Sequence, residues 1–330
     1  MLQPKVQLCR SENSYSIPGK VFLLGEYAVL GGLPALVASV GPRFRLKARV
    51  AELGSHAVSQ GVWSPHPQSP LGRLMHWAHK MGLPPLEFEF EDPWSGAGGF
   101  GASTAQFAMG YLAYSLLEGV QGDWLKAWKL YRELMGDQSI VPSGADLVAQ
   151  WQGAVCYFNP SQQQCEVLGS NPDGVSFDSS FWSSLMVFSA TGLAGRKVPT
   201  HEHLEQLSQK GFLIHNSIFL KTLEKIIHDG IIAIDQRDHT AFGAAMNAYA
   251  QTLHENGLEV EATAEDRKIL GKTPGVLGVK GAGALQSDAI LVLVGPESLN
   301  RSQVIEVAHS LGLRQVTDGL TYERGVVCQN

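Results

Sequence analysis

Residues 95–106 read SGAGGFGASTAQ, and this stretch limits what the chain around it can be. Gly96, Gly98, Gly99 and Gly101 stand almost together, Ser103 and Thr104 follow, and residues 105–117 then read as helix. A glycine turn that opens a helix leaves backbone N–H groups unpaired and pointing outward, where the helix dipole adds partial positive charge. That arrangement holds a phosphate without a lysine. The stretch therefore predicts an anion-binding turn between a strand and a helix.

The rest of the composition narrows the setting. A chain of 330 residues, 44% hydrophobic and 17% charged, has the make-up of an ordinary globular protein with room for two domains. A net charge of −6 with no basic block points away from nucleic acid. The longest apolar stretch, 21–40, is broken by Glu26, glycines and Pro34, so no membrane span is expected. The opening MLQPKVQLCR lacks the apolar run of a signal peptide, and Cys9, Cys156, Cys165 and Cys328 are dispersed. The expectation is a reduced, cytoplasmic protein without a disulfide framework or structural zinc.

Along the chain, residues 6–9 predict a strand, 16–19 a turn, and 21–24, 35–40 and 43–50 strands. The last of these, RFRLKARV, alternates basic and apolar residues and reads as a strand with one solvated face. Residues 55–70 read as loop and 71–81 as helix. His76 and His79 share a face of that helix, with no third ligand near in sequence, and read as solvated. LEFEF at 86–90 alternates strictly and predicts the strand that leads into the glycine turn. Helical spacing continues over 124–135, and Pro142 and Gly144 punctuate the start of a helix carrying Asp146 in its first turn. The polar segment 171–180 predicts a domain boundary, giving domains 1–180 and 181–330. In the second half, strands are expected at 184–188, 276–283, 289–294 and 325–328, and helices over 201–228, 231–256, 265–270 and 302–311. That order suggests a sheet with helices on one face.

Several phosphate machines use glycine loops. The Walker spacing is absent at both Gly19-Lys20 and Gly271-Lys272. The Rossmann fingerprint is met formally by Gly96, Gly98 and Gly101, with Asp123 about twenty residues on, which keeps an NAD-dependent oxidoreductase as a distant alternative. Asp123, however, falls in a polar turn between two helical patterns. Residues 101–105, GASTA, lack the final glycine of a nucleophile elbow.

Taken together, four segments resemble the GHMP small-molecule kinases, in their mevalonate and phosphomevalonate kinase branch. Residues 18–30, PGKVFLLGEYAVL, followed by Gly32, Pro34, Ala35 and Leu36, look like the family's first motif. Residues 99–105, GFGASTA, resemble the second, 142–146, PSGAD, resemble a segment of mevalonate kinases, and 280–284, KGAGA, resemble the third. The resemblance runs in family order over nearly the whole chain. It implies an α/β (α+β) GHMP kinase fold, with an N-terminal ribosomal-protein-S5-like domain, a C-terminal ferredoxin-like domain and the active site between them. It also implies ATP, Mg2+ and a small-molecule alcohol of the mevalonate (isoprenoid) pathway as substrate.

Carried onto this sequence, the resemblance makes Asp146 the base or orienting carboxylate and Lys20 the stabiliser of the developing alkoxide. Gly98, Gly99, Gly101, Ala102, Ser103 and Thr104 would hold the nucleotide phosphates. Glu26, Tyr27, Ser143, Gly144 and Lys197 would line the acceptor site, and Lys280, Gly281, Ala282 and Gly283 form the third motif. Ser103 would serve Mg2+ with Glu133, chosen over Asp137 because it lies on a helical pattern. The chemistry suits the cast, since phosphoryl transfer needs an oriented hydroxyl and neutralised charge more than covalent catalysis.

Departures from the family pattern bear on substrate and activity. Ala102 replaces the first of two serines, Gln106 follows the motif, and the third motif is poorer in glycine and leads to Asp288. PSGAD and Lys197-Val198-Pro199 favour mevalonate as acceptor, while Tyr27 and Asp288 favour phosphomevalonate as the alternative. An inactive ligand-binding protein of this fold is a further alternative, against which stand both Lys20 and Asp146. A homodimer is compatible with the sequence.

Overall fold

The computed structural model describes residues 13–51, 63–96, 98–168, 179–190, 217–296 and 300–329. The strand expected at 6–9, the first half of the loop expected at 55–70 and the first part of the helix expected at 201–228 lie outside them.

The chain opens with β1 (Asn13–Leu24), a 3-10 turn (Ala28–Gly31) and β2 (Ala35–Val50), paired as a long antiparallel hairpin. The turn expected at 16–19 is instead a bulge inside β1, where the register shifts between Ile17 and Gly19. Pro18 cannot donate a ladder hydrogen bond, and a bulge is one of the places a sheet tolerates it. Next come α1 (Pro70–Lys80), β3 (Leu86–Glu91), α2 (Ala102–Leu117), α3 (Trp124–Leu134), α4 (Ala145–Gln152), β4 (Val155–Asn159) and β5 (Gln164–Leu168). The second half comprises α5 (Ser179–Trp182), β6 (Leu185–Ser189), α6 (Ser217–Asp235), α7 (His239–Glu255) and α8 (Glu261–Leu270). It continues through β7 (Val276–Ala282), β8 (Ala289–Val294), α9 (Arg301–Ser310), β9 (Arg314–Asp318) and β10 (Val327–Gln329).

Two sheets result. The first has the order β10-β1-β2-β4-β5 with β3 also on β2, and α2 and α4 pack against it. The second has the order β7-β8-β6-β9. All their pairings are antiparallel, which removes the parallel nucleotide-binding sheet that a Rossmann enzyme requires. Asp123 accordingly has another task. It caps α3, accepting from Lys126 N at 2.8 Å.

The solvated face of β2 is laddered with charge. The register sets Arg45, Lys47 and Arg49 opposite Glu91, Glu89 and Glu87, and each pair is joined by an exposed ion pair. Arg43 differs. Its guanidinium donates to the carbonyls of Arg324 (2.7 Å), Gly325 (2.7 Å) and Ser16 (3.0 Å), fastening the returning C-terminal segment to the first sheet.

The second sheet is covered on both faces, not on one. Alternate residues of β8 divide between two cores. Ala289, Leu291 and Leu293 join the main core with α6 and α7 residues such as Phe219, Leu223, Phe242 and Tyr249, whereas Ile290, Val292 and Val294 pack with Leu270, Val304 and Ala308 of α8 and α9. A strand buried on both faces loses its polar alternation, and β8 accordingly reads AILVLV. The main core also includes β1 and β2 residues, so the two sheets share one apolar interior.

Candidate active site

A cavity of about 680 Å3 lies where the first half meets the turn between β7 and β8. Its wall includes Lys20, Glu26, Tyr27, the glycine turn, Ser143, Asp146 and, from the second half, Gly283, Ala284 and Asp288.

The glycine turn is anchored from below. Phe100 is fully buried and stacks on Trp94 with centroids 4.0 Å apart, and its carbonyl accepts from Lys20 N at 3.0 Å. The turn is thus bonded directly to the strand that carries Lys20. Helix α2 begins after Gly101, whose φ of 87° is in the left-handed region, and it has no side-chain cap. Its first-turn amides remain available to an anion. Gly98, Gly99, Gly101, Ala102, Ser103 and Thr104 all line the cavity. Gly96 lines it too, but its N–H is taken by Asp92 Oδ2 at 2.8 Å, which makes it part of the approach to the turn.

Thr104 is buried, and its hydroxyl donates to Gln150 Oε1 at 2.6 Å. Gln150, wholly buried on α4, donates in turn to Pro18 O at 2.8 Å. One amide side chain therefore links the N-terminus of α2, the strand of Lys20 and the helix of Asp146. Gln150 lies four residues after Asp146, one helical turn away; that spacing was the signal for it, though it belongs to none of the motifs.

Lys20 and Asp146 face the same cavity, with no ion pair within 4.0 Å between them. Lys20 is largely buried, its Nζ 5.0 Å from the centre of the Phe22 ring. Asp146 stands in the first turn of α4, and its Oδ1 accepts from Leu147 N at 3.2 Å. It lies close enough to Tyr131 to act on that phenol, whose pKa is pushed up by burial and further by the Asp146 charge.

Ser143 lines the cavity, while its Oγ accepts from Ala145 N at 3.3 Å and its carbonyl accepts from Trp128 Nε1 at 2.7 Å. Gly144 is not on the cavity wall. It caps α4 in the left-handed region and is packed against Trp128, so its part is to turn the chain.

Glu26 and Tyr27 reach the cavity from the turn after β1, and both are buried. The Tyr27 hydroxyl accepts from Leu285 N at 2.9 Å, and its pKa is pushed up, chiefly by burial. Of the third motif, Gly283 reaches the wall, whereas Lys280, Gly281 and Ala282 lie inside β7. Lys280 is fully buried and forms an ion pair with Glu26, Nζ to Oε1 2.7 Å. Burial lowers its pKa below the ordinary lysine value, and Glu26 opposes that shift.

Three other expectations fall elsewhere. Glu133 is exposed on α3 and absent from the cavity wall, because Tyr131 and Met135 occupy the inward-facing positions of that segment. Asp137 is also exposed and pairs with Arg73 at 2.6 Å, which holds its carboxyl below the usual range. Lys197 lies outside the described residues.

The structure also brings Asp288 against the glycine turn. A Cβ at Gly98 would stand 2.8 Å from Asp288 Oδ1, and one at Gly99 would overlap the Asp288 side chain. Among the described residues of the wall there is one cation, Lys20, against Glu26, Asp92, Asp146 and Asp288. Asp92 is occupied locally, accepting from Trp94 N (2.9 Å) and Gly96 N (2.8 Å). No group of three or more His, Cys, Asp or Glu arranged for a metal occurs among the described residues.

Comparison with known proteins bears on this arrangement. No protein-family model matches the chain. It is 28% identical over 292 residues to the mevalonate kinase of Aeropyrum pernix, covering 82% of this chain and 84% of that one. The Lin0012 protein of Listeria innocua has the same fold, with a TM-score of 0.73 at 18% identity over 97% of this chain and 99% of that one. The phosphomevalonate kinase of Streptococcus pneumoniae gives a TM-score of 0.68 at 14% identity over 95% and 99%. The chain has the fold of the GHMP small-molecule kinases. In this chain the segments at 18–30 and 99–105 meet at a hydrogen bond, Lys20 N to Phe100 O, and those at 18–30 and 280–284 meet at the Glu26–Lys280 pair. Among its described residues no helix is long and apolar enough to cross a membrane.

Proposed function

We propose that this chain is a GHMP kinase that transfers the terminal phosphoryl group of ATP to the hydroxyl of mevalonate. The observation that carries the reading is the shared cavity: Lys20 and Asp146 stand on one wall with an uncapped helix N-terminus and its glycine turn. The turn amides would bind the nucleotide phosphates, Asp146 would orient the acceptor hydroxyl and take its proton, and Lys20 would stabilise the alkoxide. The lack of a direct Lys20–Asp146 ion pair leaves both groups available to the acceptor.

The wall also suits Mg2+. This ion keeps several waters and needs only one or two carboxylates beside the phosphates, so a dedicated cage is not required. Ser103 and Asp288 are the residues that would hold it, Asp288 because it packs against Gly98 and Gly99. When bound, Mg2+ neutralises the charge of the transferred group. A cavity with one lysine among four carboxylates needs such a counter-charge to admit a polyphosphate. The four dispersed cysteines and the use of ATP agree with a cytoplasmic enzyme.

Phosphomevalonate is the second reading, favoured by Tyr27 and Asp288. A second phosphate on the acceptor calls for further cationic donors, and the described wall offers Lys20 alone. The similarity to the mevalonate kinase of A. pernix supports mevalonate. Steady-state assays with ATP-Mg2+ and each acceptor test it. Turnover of phosphomevalonate but not mevalonate would reverse the assignment, and turnover of neither would remove it.

A further inference from the structure

Glu26 places a carboxylate on the wall of a cavity that, on the proposed function, takes an anionic acceptor. Like charge there works against binding unless it is compensated. The compensation lies behind the wall. Lys280 Nζ donates to Glu26 Oε1 at 2.7 Å, while Oε2 is buried with no hydrogen-bond partner among the described residues. Lys280 is therefore the sole donor to this carboxylate among the described residues. Its remaining hydrogen bonds go to Gly281 O (2.6 Å) and Phe22 O (3.4 Å), so the ammonium is held in place and never reaches the cavity. The Tyr249 hydroxyl fixes the Glu26 main chain, donating to its carbonyl at 2.7 Å.

We propose that Lys280 is an internal counter-ion, a positioning and specificity residue that fixes Glu26 and cancels its charge so that an anionic acceptor can enter. The sequence resemblance groups Lys280 with a glycine-rich motif, but its ammonium pairs with Glu26 and does not line the cavity. The pair also joins the halves, Glu26 following β1 of the first sheet and Lys280 standing on β7 of the second. Acceptor selection by charge is thus built from both sheets. The inference rests on the kinase reading above.

The test compares mevalonate with its neutral methyl amide, measured by turnover or, for the amide, as a competitive inhibitor. In Lys280→Met the Glu26 charge is uncompensated. KM for mevalonate should rise about tenfold or more, with less than about a twofold change for the amide and for ATP. The charge-balanced double variant Glu26→Gln/Lys280→Met should return the mevalonate KM to within about threefold of wild type. A merely structural lysine would weaken both acceptors alike, and that result would overturn the proposal, as would a mevalonate defect that persists in the double variant. Should Lys280→Met fail to fold, Glu26→Gln decides. It leaves Lys280 as excess positive charge and should favour mevalonate over the amide by several fold, and an unchanged ratio would overturn the idea. Wild-type protein that phosphorylates no acceptor would sink the kinase reading, whereas normal wild-type turnover with unaltered Lys280→Met selectivity would sink the counter-ion alone.

Discussion

The hydroxyl of Thr104 donates to Gln150 Oε1 at 2.6 Å in a fully buried contact, and the same amide donates to Pro18 O at 2.8 Å. The phosphate turn, the lysine strand and the aspartate helix are thereby held by one side chain. Gln150→Leu would leave the Pro18 carbonyl buried without that partner, at a cost of about 1–3 kcal/mol for an unsatisfied group, while the Thr104 hydroxyl would keep only its bond to Gly101 O at 3.0 Å. The expected outcome is a lower thermal midpoint and a rise in KM for both ATP and the acceptor. Thr104→Val keeps the shape and should reproduce a smaller part of the loss. If Gln150→Leu alters stability but neither KM, the network is structural only.

Asp146→Asn keeps the size of the side chain and its contact with Leu147 N while removing the charge. On the proposed mechanism kcat should fall at least about a hundredfold, with nucleotide affinity within about twofold of wild type. Steady-state kinetics and a nucleotide-binding titration read the two quantities separately. Unchanged turnover would remove Asp146 from the chemistry. The variant should also lower the Tyr131 phenol pKa, because the Asp146 charge is one of the two causes raising it.

What could be read from the sequence was local. The strand–glycine turn–helix order around residues 95–106 is visible because glycine, strict alternation and helical spacing are short-range signals. The run AILVLV announces a buried strand, but apolar residues at every position cannot say that helices cover both faces. The break between α6 and α7 falls at 236–238 and not at 229–230, because apolar spacing continues across it and the deciding cap, Asp238 accepting from Ala241 N, is one ordinary aspartate. Site residues followed the same division. Lys20 and Asp146 belong to recognisable segments, whereas Glu133 and Asp288 differ only in which way the folded chain turns them. Partners such as Glu26 and Lys280, 254 residues apart, exist only after the sheets pack together.

Asp288 is expected to govern metal dependence. Its carboxylate lies against the phosphate turn, where it would repel a polyphosphate unless a divalent cation stands between them. Asp288→Asn should raise the Mg2+ concentration for half-maximal nucleotide binding by about tenfold, while strengthening the weak binding seen without Mg2+. A titration with a fluorescent ATP analogue, with and without Mg2+, measures both. Equal Mg2+ dependence in variant and wild type would contradict the assignment.

Arg43 should matter more than the other basic residues of β2. Arg45, Lys47 and Arg49 make exposed cross-strand pairs, and replacing any of them by alanine should cost no more than about 1 kcal/mol. Arg43 donates to three main-chain carbonyls, two of them in the segment leading to β10. Hydrogen bonds to a charged donor contribute about 1.5–3 kcal/mol each before relaxation, so Arg43→Ala should destabilise measurably. Hydrogen exchange should show protection lost in residues 324–329 first, with the second sheet unaffected. Uniform loss across both sheets would argue against a local clasp.

Alkaline pH offers a separate check on the interior. Burial pushes the Tyr15 and Tyr114 phenols up to about 12, and it also pushes up those of Tyr27, Tyr131 and Tyr249. Nearby carboxylates add to the shift, Glu26 and Asp288 at Tyr27, Glu26 at Tyr249 and Asp146 at Tyr131. An unfolded tyrosine releases its proton near pH 10, so above that point the unfolded chain binds fewer protons than the native one. These phenols therefore cost no stability below about pH 10 and lower it progressively above, as the unfolded state gains by ionising. The expected result is a urea midpoint that falls from about pH 10 upward. Absorbance at 295 nm should show the ionisation of these tyrosines coinciding with loss of far-ultraviolet ellipticity. Full phenolate absorbance reached while the ellipticity stays native would show that these side chains reach solvent in the folded protein.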